Sequence, residues 1–366
     1  MTSYLEWAKK RPTPRFDLAG SNILPFSIDD LPGARDALTF DGRNEYGYAP
    51  LIEAIAEHCG VSPAQVTTAQ GASGANFLAC AALLQPGDDV LVETPGYDPL
   101  FGTPRLLSAH VNHFARDFAD GFALDPDRVR SAMTPRTRLI ILTSPHNPSG
   151  VIVDSTALAE VGRIAQANRA HVLIDEVYVD ASAIAAGPRV SRGLTSVVRG
   201  DAFVCTNSLT KSYGLYGLRC GWILSTPDVA ERIRRTRDMV DGGGSIVTER
   251  LATLAFAHIA RLQARTAALL NTNGPLVREF LASRRADLDW IPSGGTVVFP
   301  RVGGVEDTSS FAERLLDRYE TAVVPGRFFQ APPHVRIGFG CATDSLRGGL
   351  EALGAALDEL RVGVKS

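Results

Sequence analysis

One lysine lies among hydroxyls, glycines and a second cation in the segment Ser208-Leu209-Thr210-Lys211-Ser212-Tyr213-Gly214-Leu215-Tyr216-Gly217-Leu218-Arg219-Cys220-Gly221-Trp222. A lysine amine attacks a carbonyl only in its uncharged form, and burial beside a cation such as Arg219 lowers the pKa of Lys211 toward that form. Ser208 and Arg219 supply a hydroxyl and a guanidinium that can hold a phosphate. The segment therefore predicts a site for a phosphorylated aldehyde, with Lys211 as the nucleophile.

Apolar runs alternate with helix-like segments between residues 51 and 223, and the lysine segment follows one of these runs. Strands are predicted at residues 89–92, 139–142, 171–174, 202–206 and 221–224. Helices are predicted at residues 74–84, 158–168 and 248–284, the last of them interrupted or bent near Asn273-Gly274-Pro275. The alternation predicts an α/β fold with a mostly parallel, doubly wound sheet, which binds ligands at the carboxyl ends of its strands.

Two more polar motifs follow predicted strands: Thr143-Ser144-Pro145-His146-Asn147-Pro148-Ser149-Gly150 and His171-Val172-Leu173-Ile174-Asp175-Glu176-Val177-Tyr178. A pyridoxal phosphate site needs an imine-forming lysine, a carboxylate on the pyridinium nitrogen, donors to the phenolate oxygen, a stacking aromatic ring and an anion cradle. Asp175 is the predicted carboxylate, because a buried carboxylate keeps the pyridinium charged. Asn147 and Tyr178 are the predicted donors, although an Asn-Pro pair taken alone indicates only a turn.

The loop at residues 70–76 precedes a predicted helix. The backbone N–H groups of Ala72, Ser73 and Gly74, with the Ser73 hydroxyl, are therefore a candidate phosphate cradle. Tyr97 follows another strand and offers a ring that can stack on the cofactor, although by itself it indicates only a packed tyrosine. Together with the lysine segment, these residues predict bound pyridoxal 5'-phosphate.

Jointly, the motifs resemble those of the class I/II aminotransferases, the fold-type I group of pyridoxal phosphate enzymes. The resemblance rests on Asn-Pro-x-Gly at 147–150, Asp-x-x-Tyr at 175–178, Ser-x-x-Lys at 208–211 with an arginine eight residues after the lysine, and Arg336 in His334-Val335-Arg336-Ile337-Gly338-Phe339. It implies that Arg336 binds the substrate α-carboxylate through a bidentate pair. It also implies that Asn147 and Gly20 contact the substrate. Gly20-Ser21-Asn22 resembles the N-terminal segment that closes over substrate in this family, but lacks its usual Gly-x-Pro pattern.

The resemblance further implies transamination between an L-amino acid and a 2-oxo acid through a Lys211 Schiff base. The freed Lys211 amine would move the α-proton, a form of general acid–base catalysis typically worth about 10² to 10⁴ in rate. In this family a tyrosine of the partner subunit contacts the cofactor phosphate. Tyr46 or Tyr48, in residues 44–50, would supply this contact, with Tyr46 preferred. A homodimer with shared active sites follows from that contact.

The same chain leaves other interpretations open. Residues 294–301 and 323–329 resemble capreomycidine synthase, a family member that eliminates and cyclises a hydroxylated arginine. Arg327, in the second of these segments, is a candidate substrate contact. A catalytically silent regulator with an aminotransferase-like domain is the non-enzyme alternative. Such regulators carry an added DNA-binding domain, for which the sequence leaves no N-terminal room.

The pattern changes after residue 270. Short elements are predicted at residues 296–299, 309–319, 321–324, 335–337 and 345–360, which is typical of a small α+β unit. We therefore predict an N-terminal segment at 1–45 that packs with the small domain, a large cofactor-binding domain at 46–270 and a small C-terminal domain at 271–366. A chain of 366 residues can bury the core that this arrangement requires.

Composition argues against several other classes of protein. The 37 basic and 40 acidic residues nearly cancel, so no nucleic-acid partner is predicted. The five cysteines are odd in number and scattered, which predicts no disulfide framework and favours the cytoplasm. No run approaches the roughly 18 apolar residues of a membrane span. His110 and His113 lack a further ligand at suitable spacing, so no metal site is predicted.

Overall fold

The computed structural model of the chain describes residues 3–186 and 195–364. Its helices are α1 Tyr4–Lys10, α2 Ala49–Cys59, α3 Gly71–Leu83, α4 Asp98–Leu106, α5 Pro126–Ala132, α6 Ser155–Ala167, α7 Val179–Ala186, α8 Leu209–Tyr213, α9 Pro227–Val240, α10 Ile246–Ala257, α11 Ile259–Ser283, α12 Ser309–Tyr319 and α13 Thr343–Val364. Its strands are β1 Phe16–Asp17, β2 Val66–Gln70, β3 Asp89–Thr94, β4 His110–Ala115, β5 Thr137–Thr143, β6 His171–Asp175, β7 Phe203–Ser208, β8 Cys220–Leu224, β9 Leu288–Asp289, β10 Val297–Val298, β11 Arg301–Val302, β12 Thr321–Ala322, β13 Val324–Pro325 and β14 Val335–Gly338. Within these two ranges no helix is long and apolar enough to cross a membrane.

A seven-stranded sheet, in the order β2-β8-β7-β6-β5-β3-β4, forms the centre of the larger part of the fold. The neighbours from β7 to β4 are all parallel, whereas β8 runs antiparallel to both β2 and β7. All five predicted strands are present, and the α/β class with a mostly parallel sheet is confirmed. The sequence did not predict β2 and β4. Because β4 is an edge strand with mostly exposed or half-buried residues, it lacks the apolar run of a central strand.

Successive residues of the central strands pack on opposite faces of this sheet. Leu91, Ile140 and Val172 belong to the apolar core on one face, and their neighbours Val90 and Leu139 belong to the core on the other. This is the side-chain alternation of a strand that is buried on both sides. Apolar cores thus cover both faces of the sheet, and polar side chains can come together only at the ends of the strands.

A separate apolar core lies in the C-terminal part of the chain and includes Leu315 of α12 and Ile337 of β14. Strand β1 pairs in parallel with β12, which attaches the N-terminal segment to this part. Helix α11 connects the two parts, since Leu262 packs in the core of the sheet and Val277 in the C-terminal core. The exact domain boundaries stay a prediction.

The helix predicted at residues 248–284 is interrupted, but not near Asn273 as predicted. His258 separates α10 from α11, with backbone angles of φ −109° and ψ 21°. Helix α11 then continues through Pro275. Asn273 is fully buried, and its side-chain amide donates to two backbone carbonyls after β14 at 2.7 and 2.9 Å. These tertiary hydrogen bonds hold the helical turn where the local Asn-Gly-Pro signal favoured a break.

Candidate active site

The carboxyl ends of the central parallel strands open into a cavity of about 820 Å³. Strand β5 ends at Thr143, β6 at Asp175 and β7 at Ser208, where an open α/β sheet is expected to bind its ligand. Most of the predicted site residues line this cavity: Ala72, Ser73, Tyr97, Asn147, Asp175, Tyr178, Ser208, Lys211, Arg219 and Arg336. The tertiary structure therefore brings together side chains from distant parts of the chain.

Lys211 lies in α8, a short helix between β7 and β8. Ser208 is its N-cap, and Gly214 ends it in the left-handed conformation with φ 73°. The Lys211 Nζ donates to Ser21 Oγ at 3.0 Å and to Asn22 Oδ1 at 2.8 Å. Two oxygens of the N-terminal segment thus hold the amine at the cavity. The sequence indicated Gly20 of this segment as a substrate contact and indicated no role for Ser21 or Asn22.

The surroundings of Lys211 favour the uncharged amine. Burial lowers its pKa from 10.5 to about 8, and Arg336 and Arg219 act in the same direction. Tyr4 and Asp175 oppose the shift. The sequence predicted the direction of the shift and the part played by Arg219, but it did not indicate that Arg336 lies near the same amine.

This pKa predicts how the rate of cofactor uptake depends on pH. Only the uncharged amine reacts, so the rate for the cofactor-free protein should rise about tenfold per pH unit below about pH 8 and level off above it. An ordinary lysine, with a pKa near 10.4, would show a rise that continues to about pH 10. Stopped-flow absorbance at a fixed concentration of pyridoxal phosphate measures the profile, and a continuing rise above pH 9 would contradict the lowered pKa of Lys211.

Asp175 is held at the end of β6 by two donors. Asn76 Nδ2 donates to its Oδ2 at 2.8 Å, and the Val177 backbone N–H donates to its Oδ1 at 3.2 Å. Thr206 Oγ1 donates to Asn76 Oδ1 at 2.6 Å, which orients the amide nitrogen toward the carboxylate. Burial raises the pKa of Asp175, while the hydrogen bonds from Asn76 and Val177 lower it. The sequence did not indicate Asn76, although it lies one helical turn after Ser73 on α3.

Arg336 is 1% exposed and makes three hydrogen bonds. Its Nη1 donates to Asn147 Oδ1 at 3.0 Å, and its Nη2 donates to Tyr4 Oη at 2.8 Å and to the Ala19 carbonyl at 3.1 Å. Asn147 Oδ1 is therefore already used as an acceptor, and its amide nitrogen is the group that can donate to a ligand. The sequence did not indicate Tyr4. The sequence does contain a signal that could have indicated Tyr4, because Tyr4, Leu5, Ala8 and Lys9 recur at helical spacing. All four residues line the cavity from α1.

A buried ion pair is linked to Asn147 through the hydroxyl of Thr143. The Asn147 backbone N–H donates to Thr143 Oγ1 at 2.8 Å, and that hydroxyl donates to Glu93 Oε1 at 2.6 Å. Glu93 pairs with Arg116 at 2.7 Å, and both side chains are at most 1% exposed. Burial raises the pKa of Glu93, while Arg116 lowers it. The position of Asn147 thus depends on a compensated charge pair inside the core.

The start of α3 and Arg219 form the part of the cavity that is suited to a phosphate. Ala72 and Ser73 line it, whereas Gly74, also predicted, does not. Thr210 Oγ1 is buried, and no residue of the described ranges forms a hydrogen bond with it. Thr210 lines the same cavity. A buried hydroxyl without a partner is costly, and a phosphate oxygen at a helix N-terminus would satisfy it. These residues therefore fit a cofactor that carries a phosphate.

Gly71→Ala is expected to weaken pyridoxal phosphate binding about ten- to a hundredfold. Arg219 Nη2 donates to the Gln70 carbonyl at 3.4 Å, and a Cβ at Gly71 would overlap the Arg219 guanidinium. Displacing this cation would remove the charged hydrogen bond that Arg219 is predicted to donate to the phosphate, a bond worth about 1.5–3 kcal/mol. Equilibrium dialysis of the cofactor measures the loss.

Gly87→Ala is the matched control for this substitution. Gly71 and Gly87 both have a left-handed backbone, with φ 68° and 87°, but nothing lies within 4 Å of a Cβ at Gly87. The control therefore carries the backbone strain without the contact to Arg219. Equal cofactor affinity in the two variants would show that Arg219 does not hold the phosphate.

Three further residues from the sequence predictions lie outside the lining of this cavity: Gly20, Arg327 and Tyr46. The Gly20 carbonyl packs against Gly338, and the two residues after it contact the lysine amine instead. The Arg327 guanidinium lies 4.6 Å from the centre of the Phe328 ring and is not part of the cavity lining, and its role as a substrate contact stays a prediction. Tyr46 was predicted to act on a partner subunit, so its place outside this chain's cavity does not test that role.

The fold and the site define the chain as a fold-type I pyridoxal phosphate enzyme, and comparisons with known proteins agree. Residues 20–353 match the family model of aminotransferase class I and II. The chain is 32% identical over 364 residues to capreomycidine synthase from Streptomyces vinaceus, which covers 96% of this chain and 92% of that protein. It is 27% identical over 341 residues to aspartate aminotransferase from Thermotoga maritima, with 88% and 86% covered.

A solved structure of the pyridoxal phosphate-dependent cyclase OrfR matches with a TM-score of 0.85 at 28% identity, covering 98% of this chain and 97% of that one. The chain therefore belongs to the class I and II aminotransferase family. Its cofactor is pyridoxal 5'-phosphate.

Proposed function

We propose that the chain is a transaminase that moves the amino group of an L-amino acid to a 2-oxo acid. The observation that carries this proposal is the position of Lys211, Asp175 and Arg336 around one cavity. When bound, the cofactor supplies an electron sink for the negative charge that develops at the substrate α-carbon. The three residues supply a base, a counter-charge for the ring nitrogen and a carboxylate site, all of which transamination needs, and the match to the aminotransferase family model supports this reaction over others on the same cofactor.

We assign each of these side chains a role that its contacts support. Arg336 binds the substrate α-carboxylate, and its buried fork fixes the direction of the α-carbon. Lys211 Nζ, which is held by Ser21 and Asn22, takes the α-proton and returns it. Because its pKa is about 8, the amine can exist as both base and acid near neutral pH. Asp175 keeps the ring nitrogen of the cofactor protonated.

Asn147 and Tyr178 are proposed to hydrogen-bond the phenolate oxygen of the cofactor. Both line the cavity and are at most 5% exposed. Tyr97 lines the same cavity, and its ring is proposed to stack on the cofactor. Ser208 and Arg219 complete the phosphate contacts with the start of α3.

Elimination and cyclisation of an amino acid is the second candidate, and the identity with capreomycidine synthase supports it. The charges that this chain contributes to the cavity argue against a hydroxylated arginine as the substrate, whichever of the two reactions takes place. Among the described residues its lining carries one carboxylate, Asp175, and four cations: Lys9, Lys211, Arg219 and Arg336. If Asp175 is engaged by the ring nitrogen, no lining carboxylate is left to pair with the guanidinium of a hydroxylated arginine. A substrate without a cationic side chain therefore fits this cavity better.

The fate of a labelled amino group distinguishes the two reactions. We expect a ¹⁵N-labelled amino donor and an unlabelled 2-oxo acid to give a new amino acid that contains ¹⁵N, because transamination moves the nitrogen between carbon skeletons. Cyclisation would keep the label in the donor-derived product and would not consume the 2-oxo acid. Mass spectrometry of a panel of donors, including arginine and its hydroxylated derivative, measures both outcomes. Label retained in a cyclic product, with no transfer for any donor, would reject transamination.

The proposed enzyme is a homodimer in which Tyr46 reaches the partner's site. Tyr46 is 39% exposed, and Arg235 Nη1 donates to its hydroxyl at 2.7 Å. By contrast, the Tyr48 side chain is half-buried and packs against the core of the sheet in its own chain, which supports Tyr46 over Tyr48. Large apolar side chains are exposed before Tyr46 and at the end of α9: Leu38, Phe40, Met239 and Val240. Sedimentation equilibrium tests this assembly, and a fully active monomer would reject it.

A further inference from the structure

Arg336 Nη2 has both of its protons engaged inside the chain. One is donated to Tyr4 Oη at 2.8 Å and the other to the Ala19 carbonyl at 3.1 Å. By contrast, Arg336 Nε is buried and has no hydrogen-bond partner among the described residues. Within the part of the chain that the structure describes, the Arg336 guanidinium therefore has one free donor, Nε, next to Nη2, whose two protons are both already donated.

A carboxylate can bind a guanidinium bidentately in two ways, either across the two Nη atoms or across Nε and Nη2. Both ways require a proton of Nη2. The Ala19 carbonyl is a backbone group next to Leu18, whose N–H and carbonyl are both hydrogen-bonded to other segments, whereas Tyr4 Oη is the tip of a side chain. A bidentate carboxylate on Arg336 must therefore replace the Tyr4 hydroxyl.

The Tyr4 ring is held in this position by other aromatic rings. Its centroid lies 5.8 Å from Tyr97, 5.8 Å from Phe329 and 5.9 Å from Phe328. The Arg336 guanidinium lies 5.4 Å from the centre of the Tyr4 ring. These contacts place the hydroxyl on the guanidinium at low entropic cost, because the ring is already packed.

We propose that the Tyr4 hydroxyl occupies the place of one substrate carboxylate oxygen on Arg336 Nη2 and competes with the substrate for it. The inference rests on the proposed role of Arg336. In the substrate-free protein Tyr4 keeps the buried guanidinium paired, and the charged carboxylate replaces it because a charged acceptor binds more strongly than a neutral one. Tyr4 thereby sets the affinity for the α-carboxylate without taking part in proton transfer.

The test is the affinity of holoenzyme for 2-methylalanine, an amino acid that has no α-proton for Lys211 to remove. Binding is followed by the visible absorption of the cofactor. Tyr4→Phe keeps the ring and removes the competing hydroxyl, so we expect its dissociation constant to fall about three- to tenfold. With a reactive donor, KM should fall by a similar factor while kcat stays within about twofold, because uniform binding is what changes.

Trp7→Phe is the matched control. Trp7 also lies on α1 and packs on Phe328 and on Tyr4, with ring centroids 5.2 and 6.3 Å apart, but it is not among the three hydrogen-bond partners of Arg336. Its affinity for 2-methylalanine should equal that of the wild type. Equal tightening in both variants would assign the effect to loosening of α1 and overturn the proposal.

Unchanged or weaker binding by Tyr4→Phe would likewise overturn the competition, since weaker binding means that Tyr4 donates to the carboxylate. Arg336→Gln tests the underlying site. If it binds 2-methylalanine as well as the wild type, the carboxylate site and the inference both fail. Because the ligand cannot be transaminated, failure of the competition leaves the proposed reaction untouched.

Discussion

Lys211→Ala is expected to lower kcat about 10⁴-fold and to abolish covalent attachment of the cofactor. The same amine is proposed as the nucleophile and as the base, and general acid–base catalysis alone typically contributes about 10² to 10⁴ in rate. Borohydride reduction fixes the cofactor on the lysine that holds it, and peptide mass mapping locates the adduct. The chain has four lysines, Lys9, Lys10, Lys211 and Lys365, so the assignment is unambiguous.

Lys10→Ala is the control for this experiment. Lys10 pairs with Glu6 at 2.6 Å, and its side chain is 74% exposed, so its removal should leave both the adduct and kcat unchanged. A pyridoxyl adduct on any lysine other than Lys211, or a Lys211→Ala protein that retains its visible absorption and activity, would contradict the assignment.

Asp175→Asn is expected to lower kcat roughly a hundredfold to several-thousandfold while the fold is retained. Removing one partner of a buried ion pair costs about 3–5 kcal/mol, and the proposed partner of Asp175 is the protonated ring nitrogen of the cofactor. Without that charge the ring is a weaker electron sink. Steady-state kinetics with saturating donor and acceptor measures the loss, and circular dichroism confirms the fold.

Glu176→Gln provides the matched control for Asp175. Glu176 is the next residue and is equally enclosed at 2% exposed, but its Oε1 accepts from the Ser196 backbone N–H at 2.7 Å. It does not line the cavity, and a glutamine oxygen can still accept this hydrogen bond. Its kcat should stay within a few-fold of the wild type. A similar loss in both variants would show that any change in this buried segment damages activity, and the role assigned to Asp175 would be withdrawn.

Much of the site could be predicted from the sequence because its polar residues directly follow strands that the sequence also predicts. Asn147, Asp175 and Lys211 each follow an apolar run closely, and parallel strands deliver their carboxyl ends to one edge of the sheet. Secondary-structure predictions from local sequence failed where tertiary packing determined the conformation instead. The Asn-Gly-Pro segment at 273–275 remains helical because a buried asparagine is bonded to another part of the chain. Strand β4 could not be predicted from the sequence because an edge strand does not require a run of apolar residues.

The order of residues along the chain was thus enough to indicate the α/β architecture and to predict Lys211 as the imine-forming lysine and Asp175 as the carboxylate for the ring nitrogen. Packing alone placed Tyr4 on Arg336, Asn76 on Asp175, and both N-terminal oxygens on the lysine amine. The physical reason is that periodicity and strand ends are properties of neighbouring residues. Hydrogen-bond partners and pKa shifts depend instead on burial and on charges that come together only when distant segments fold against one another.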